Sequence, residues 1–276
     1  MKSKTILESG TLFNDLFDLS GRVALVTGGT RGLGLVAAET LSRAGGKVCV
    51  CSRHAAEARA VAQQIQQSTG NPCLGLGADV TSAAQIKKAV EAIRKQLGPV
   101  DILLAAAGIN IRKPSSELTV ADWDAVMNIN TRGAFLCAQA VMPGMQKRKW
   151  GRVVFFASML SFVSIPGRAA YASSKAALLG LTKTLALESA ADGVCVNAVC
   201  PGPFLTPMNV ALSKNKAINR AFIQKLPIGR WGDPAELRPA IVPILPGMQF
   251  YDRFQPGHRW RLDGAVRSEK SANSGI

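Results

Sequence analysis

The chain has two tyrosines among its 276 residues, and aromatic side chains make up only 6% of it. Basic residues outnumber acidic ones, 33 to 18, for a formal net charge of +15. They are nevertheless scattered, with only short groups such as "KRK" at 147–149, and no aromatics interleave with them. That spread argues against nucleic-acid reading as the main function and for a solvated basic surface that attracts anions. The six cysteines, at 49, 51, 73, 137, 195 and 200, include no CxxC pair. No zinc spacing is present, so neither a disulfide framework nor a metal site is expected; buried thiols in a reducing compartment are. No apolar run reaches membrane-spanning length, and the first twenty residues hold no continuous apolar segment of the signal-peptide kind. The expectation is a soluble, cytoplasmic protein. There is no solenoid-period repeat.

What is present is a globular composition, 47% hydrophobic and 18% charged. Short apolar runs recur: "RVALVT" (22–27), "KVCVC" (47–51), "CLGLGA" (73–78), "DILLAA" (101–106), "RVVFFAS" (152–158) and "VCVNAV" (194–199). They are continuous rather than alternating, as in strands buried on both faces. Segments of helical period such as "AAEARAVAQQIQQ" lie between them. This alternation predicts an α/β fold: one doubly wound Rossmann domain over 20–242, with six parallel strands and helices on both faces. Residues 1–19 read as an extension and 243–276 as a poorly ordered tail without either period.

"TGGTRGLG" (27–34) follows the first strand and opens a helix. Gly28, Gly32 and Gly34 let the backbone turn sharply beside a pyrophosphate, and the helix N-terminus offers N–H groups to the anion. Thr30, Arg31 and Leu33 belong to the same cofactor-binding turn. At the end of the second strand, "CVCSRH" has no acid to accept from a free ribose 2′-hydroxyl. Ser52, Arg53 and Arg31 stand there instead, a set that suits a 2′-phosphate. NADP(H) is therefore the preferred cofactor. NAD(H) stays usable if Arg53 only stacks on adenine. Asp79, with Val80, either contacts the adenine edge or is a solvated loop acid.

Tyr171 and Lys175 in "YASSK" are four residues apart and share a helical face. A free phenol has a pKa near 10, and a nearby ammonium lowers it, which suits a proton donor beside a hydride carrier.

Together with TGGTRGLG, Ser158 thirteen residues before Tyr171, Asn130 in "MNINTRGAF" and "CPGPFLTPM", this sequence resembles the short-chain dehydrogenase/reductase family over 20–242. "AGINIRKP" with "PIGRWGDPAEL" is most similar to the gluconate 5-dehydrogenase and 2-deoxygluconate 3-dehydrogenase types. The resemblance implies a hydride transfer with Tyr171 as proton donor or acceptor and Ser158 holding the substrate oxygen. Lys175 would bind the nicotinamide ribose and lower the phenol pKa. Asn130 would anchor a proton-relay water, and Thr206, after Pro201 and Gly202, would meet the carboxamide. Singly, each has a plainer alternative: Asn130 as a helix cap, Ser158 as a strand end. The resemblance also implies a small carbonyl or alcohol substrate, a sugar acid first and a 3-oxoacyl thioester second, and homo-oligomers. Segment 204–226 is the expected substrate lid, whose Lys and Arg would meet a carboxylate.

Two departures stand out. The family's Asn-Asn-Ala-Gly is here Ala105, Ala106, Ala107 and Gly108. Gly108 preserves close backbone approach, with Ala106 beside the cofactor, while the lost amides predict a weakening of about 1 kcal/mol per hydrogen bond. The tail lacks the family's last strand, the seventh. Codons compatible with 242–267, read one base later, permit a family-like ending through Asp-Gly-Gly-Trp. A one-base displacement near 238–242 is the expectation this raises. A genuine tail would put assembly in doubt and allow a catalytically impaired cofactor-binding protein as an alternative.

Overall fold

The runs of β-branched and apolar residues form a six-stranded parallel sheet in a computed structural model that describes residues 17–241. The strands are β1 (Val23–Thr27), β2 (Lys47–Ser52), β3 (Cys73–Gly77), β4 (Ile102–Ala105), β5 (Gly151–Phe156) and β6 (Val194–Val199). Their order is β3-β2-β1-β4-β5-β6. Chain order reverses between β1 and β4, so a crevice opens at the carboxyl ends of those two strands. The register is continuous there, Ala24 beside Ile102 through Thr27 beside Ala105.

Successive side chains of each strand enter opposite cores, which explains why the apolar runs do not alternate. Leu25, Cys49, Leu103, Val153 and Phe155 face one core; Ala24, Val48, Ile102, Leu104 and Val154 face the other. Helices cover both faces. α1 (Gly32–Arg43) and α2 (Ala55–Thr69) pack on one side, the first through Ala37, Ala38 and Leu41. α3 (Ala83–Gln96) packs on the other through Ile86, Ala89 and Ile93, one stripe at spacings of three and four. Its N-cap Ser82 accepts from the Gln85 N–H. Each fully buried Leu, Ile or Val contributes about 1.5–3 kcal/mol.

Two longer elements complete this second layer. α4 (Val120–Met127) starts with a capping box between Thr119 and Asp122 and runs into α5 (Gly133–Lys147). The junction is a single π-turn, Asn128–Arg132. Such a bulge redirects side chains and marks functional sites; here it turns Asn130 fully inward. α6 (Ala169–Ser189) is 21 residues long and ends in a 3₁₀ turn closed by left-handed Gly193.

All six cysteines are free thiols. No helix among the described residues is long and apolar enough to cross a membrane. The expectations for the N-terminal extension up to residue 16, the 243–276 tail, the seventh strand and the reading-frame displacement lie outside the described residues.

Candidate active site

The segments singled out in the sequence converge on the carboxyl ends of the strands. The glycine turn follows β1. Gly28 has φ 66, and a Cβ there would come 2.7 Å from Ala107 Cα, so only glycine lets the β1 and β4 loops meet. Gly34 packs against the Gly28 carbonyl so tightly that a Cβ would lie 2.3 Å from it. α1 begins at Gly32 with no side-chain cap and no acid in its first turn, so its N–H groups remain open to an anion. Arg31 precedes it as an exposed residue, Thr30 is buried and Leu33 packs on the core. These features fit a dinucleotide pyrophosphate.

Ser52 closes β2, its hydroxyl bonded to His54, with Arg53 exposed beyond it. Asp79 accepts from the Thr81 N–H and hydroxyl at 2.9 and 2.8 Å. The backbone bond from Thr81 leads in holding its carboxyl below the usual range, and the Arg53 charge acts in the same sense. Val80 is buried against Gly133, at the start of α5. Where the family's amides are missing, Thr27 supplies partners: the Ala106 N–H donates to its carbonyl at 3.2 Å, and the Ala107 N–H to its hydroxyl at 3.5 Å.

Asn130 binds Ile109 at both ends. Its Oδ1 accepts from the Ile109 N–H at 2.8 Å and its Nδ2 donates to the Ile109 carbonyl at 3.0 Å. The same Nδ2 donates to Ser174 Oγ at 2.9 Å, and Ser174 donates to the Tyr171 carbonyl at 2.7 Å. The loop after β4 is thereby fastened to α6. A Cβ on Gly108 would lie 3.2 Å from Asn130 Oδ1 and 3.5 Å from Lys175 Nζ, so the glycine keeps that corner open.

Ser158 follows β5 and caps a 3₁₀ turn, Met159–Ser161, its Oγ accepting from the Leu160 N–H at 3.1 Å. The Ser158 side chain also acts on the Tyr171 phenol, favouring its ionised form. Burial pushes the Tyr171 phenol above its usual pKa, opposed by Ser158 and by the charges of Arg112 and Arg168. Lys175 is buried, its Nζ donating to the Phe156 carbonyl at 2.6 Å and lying 5.7 Å from the Tyr171 ring centre. Burial brings its pKa down to about 8. Burial thus leads in setting the phenol in this arrangement. The opposing charges come from two arginines that the sequence reading did not single out.

Arg112 lies in the loop after β4 and Arg168 just ahead of α6. Arg112 Nη2 donates to the Met208 carbonyl and to Asn209 Oδ1, both at 2.9 Å. "AGINIRKP" had marked this loop only as a likeness. The segment expected to form a substrate lid contains two short helices, α7 (Val210–Lys214) and α8 (Lys216–Ile223), on which Lys214, Lys216 and Arg220 are exposed. Thr206 is buried, and a Cβ on Gly32 would lie 3.6 Å from the Thr206 Cβ, so the start of this segment touches the glycine turn. Pro201 and Gly202 join β6 to this segment, and the Pro201 carbonyl accepts from the Met159 N–H at 3.1 Å. Among the described residues, no group of three His, Cys, Asp or Glu is placed to hold a metal ion.

The family model for short chain dehydrogenases matches residues 22–217. The chain is 35% identical to the 5-keto-D-gluconate 5-reductase of Escherichia coli (strain K12), over 92% of this chain and 98% of the relative. It is 37% identical to the 3-oxoacyl-[acyl-carrier-protein] reductase FabG of Aquifex aeolicus (strain VF5), over 81% and 90%. Among solved structures it is similar to a gluconate 5-dehydrogenase from Burkholderia cenocepacia J2315 in complex with NADP and tartrate. The TM-score is 0.81 at 34% identity, with 85% of this chain and 91% of that one covered. With these likenesses laid over the serine, tyrosine and lysine at the sheet's carboxyl edge, the chain belongs to the short-chain dehydrogenase family of oxidoreductases.

Proposed function

We propose that the protein moves a hydride between NADP(H) and a carbonyl or secondary alcohol of a sugar acid of the gluconate type. One observation carries the reading: Ser158, Tyr171 and Lys175 come together, with Lys175 against Gly108 in the loop after β4 and the Arg112 guanidinium acting on the phenol. The nicotinamide, when bound, supplies or accepts the hydride. Tyr171, kept protonated at neutral pH by burial, gives its proton to the carbonyl oxygen in reduction and takes it back in oxidation. Ser158 holds the same oxygen. Lys175 holds the nicotinamide ribose, Asn130 fixes the loop that frames it and carries the proton-relay water, and Thr206 meets the carboxamide. Arg112 is placed to take the substrate carboxylate, a role first assigned to cations of the lid.

NADP(H) preference is supported by Arg31 and Arg53 at the ribose end and by the lack of an acid after β2. The NADP and tartrate of the Burkholderia cenocepacia relative are in keeping with both assignments. The setting we assign is the cytoplasm, consistent with six free thiols. Homo-oligomers are expected as well.

A second reading is 3-oxoacyl-thioester reduction. It is favoured by exposed Met159, Phe162, Val163 and Ile165 just after Ser158, an apolar rim for an acyl arm. Comparing kcat/KM for 5-keto-gluconate and an acetoacetyl thioester, each with NADPH and NADH, separates the two. NADPH binding with no turnover across the panel identifies the impaired cofactor-binding protein.

A further inference from the structure

Two guanidinium groups act on the Tyr171 hydroxyl, and neither has a counter-ion among the described residues. The segments that carry them touch. Gly167, at φ 74, sits against Lys113, where a Cβ would lie 3.6 Å from the Lys113 carbonyl oxygen. Asp122, the acid that reaches this loop, is engaged by Lys113 at 2.7 Å and by Thr119. Arg168 gives one donor to the Gly167 carbonyl at 2.9 Å. Arg112 uses Nη2 on Met208 and Asn209, and its Nε is enclosed without a partner. Asn110 Oδ1, two residues earlier, is likewise enclosed without one.

Burial lowers both guanidinium pKa values, and Arg112 lowers that of Arg168 further, which is mutual repulsion. Like charges held near one another on a partly buried surface favour an anion beside them, and a guanidinium presents a fork that fits an oxyanion. A single carboxylate compensates one of the two.

We propose that Arg112 and Arg168 together form a dianion subsite, so that the preferred substrate carries two negative charges. Its reacting carbonyl then reaches Tyr171. This rests on the oxidoreductase reading above and narrows its substrate class, to a sugar acid with a second carboxylate or a phosphate monoester. Arg168 is the specificity-determining residue in this arrangement: Arg112 alone suits a monoanion.

The test compares NADPH-dependent reduction of 5-keto-gluconate, 5-keto-glucarate and a ketose phosphate by the intact protein. We expect a dianion to exceed the monoanion in kcat/KM by about tenfold or more, the value of one charge-assisted hydrogen bond, with the gain in KM. The dicarboxylate and phosphate arms show which dianion is preferred. Arg168→Met collapses the difference, and Arg168→Lys retains part of it; NADPH binding by each variant verifies that it folds. Equal kcat/KM for monoanion and dianion, or a difference that survives Arg168→Met, overturns the subsite and leaves the oxidoreductase standing. If NADPH binds but no carbonyl is reduced, the oxidoreductase reading fails instead. Thermal shifts of the NADPH-loaded protein with malonate and with acetate then decide the subsite. A larger shift with malonate, abolished by Arg168→Met, supports it; equal shifts overturn it.

Discussion

Asn130 holds Ile109 by both its backbone groups, at 2.8 and 3.0 Å, across 21 residues of sequence. The π-turn that carries Asn130 is therefore the clasp that fixes the loop after β4, and through Ser174 it reaches the helix turn that bears Tyr171.

Replacing Asn130 with alanine removes three hydrogen bonds and leaves the Ile109 N–H without its side-chain partner. The expected loss is about 2–3 kcal/mol in stability, at roughly 1 kcal/mol per bond. Activity should fall further than stability alone accounts for, because loop and phenol lose a common anchor. Urea unfolding and steady-state kinetics on the same preparation check both parts; unchanged kinetics would show that the clasp does not position the site.

Tyr171→Phe should lower kcat by about 10²–10⁴, the usual range for a lost general acid. Cofactor binding should survive, since the phenol lies on the substrate side. NADPH fluorescence titration beside turnover assays separates the two, and a variant retaining most of its kcat removes Tyr171 from the proton transfer.

Burial holds the Lys175 pKa at about 8 in the folded protein, against 10.5 for a free lysine. The unfolded chain therefore holds this proton more firmly between about pH 8 and 10.5, and folded stability gains from this group as pH rises through that window. Below pH 8 the full penalty, on the order of 3 kcal/mol, is present. Lys175→Met should compare most favourably with the parent at pH 7. Its Tm advantage should shrink, or its deficit grow, by pH 9.5, while turnover is lost at both. A Tm difference independent of pH would mean that the ammonium is not buried at a cost.

Arg53→Asp should invert cofactor choice, because an acid there accepts from a free 2′-hydroxyl and repels a 2′-phosphate. We expect kcat/KM with NADPH to fall by about a hundredfold, from two or so charge-assisted bonds, and that with NADH to rise. An unaltered NADPH/NADH ratio assigns the discrimination elsewhere.

Gly28→Ala meets Ala107 Cα at 2.7 Å in a left-handed conformation. The cost should be about 1–3 kcal/mol, with weaker NADPH binding because the phosphate turn and the β4 loop must separate. Thermal unfolding with and without NADPH reads both; full retention of cofactor stabilisation would contradict it.

The strands were legible because burial on both faces writes a continuous apolar run, and β6 matches its run from Val194 to Val199 residue for residue. Ser158, Tyr171 and Lys175 were legible because two of them share a helix turn and the third lies one loop away. Arg112 and Arg168 were not, since their loops lie 56 positions apart and come together only in the fold, as at Gly167 and Lys113. The charge balance around Tyr171 depends on tertiary contacts of the same kind. Helical spacing places Lys175 on the right face, but the Phe156 carbonyl, contributed by a strand, takes its ammonium. The π-turn was not legible, because the weak helix formers Asn128, Asn130 and Thr131 mark a loop or cap as readily as a bulge within a helix.

The reversal of strand order between β1 and β4 divides the labour of this scaffold along a seam. The residues we propose to discriminate one nucleotide from another hang from β1 to β3, and those we propose to discriminate one reactant from another hang from β4, α6 and segment 204–226. Evolution or engineering can thus retune either preference by editing loops on a single flank, leaving the opposite flank's selectivity untouched.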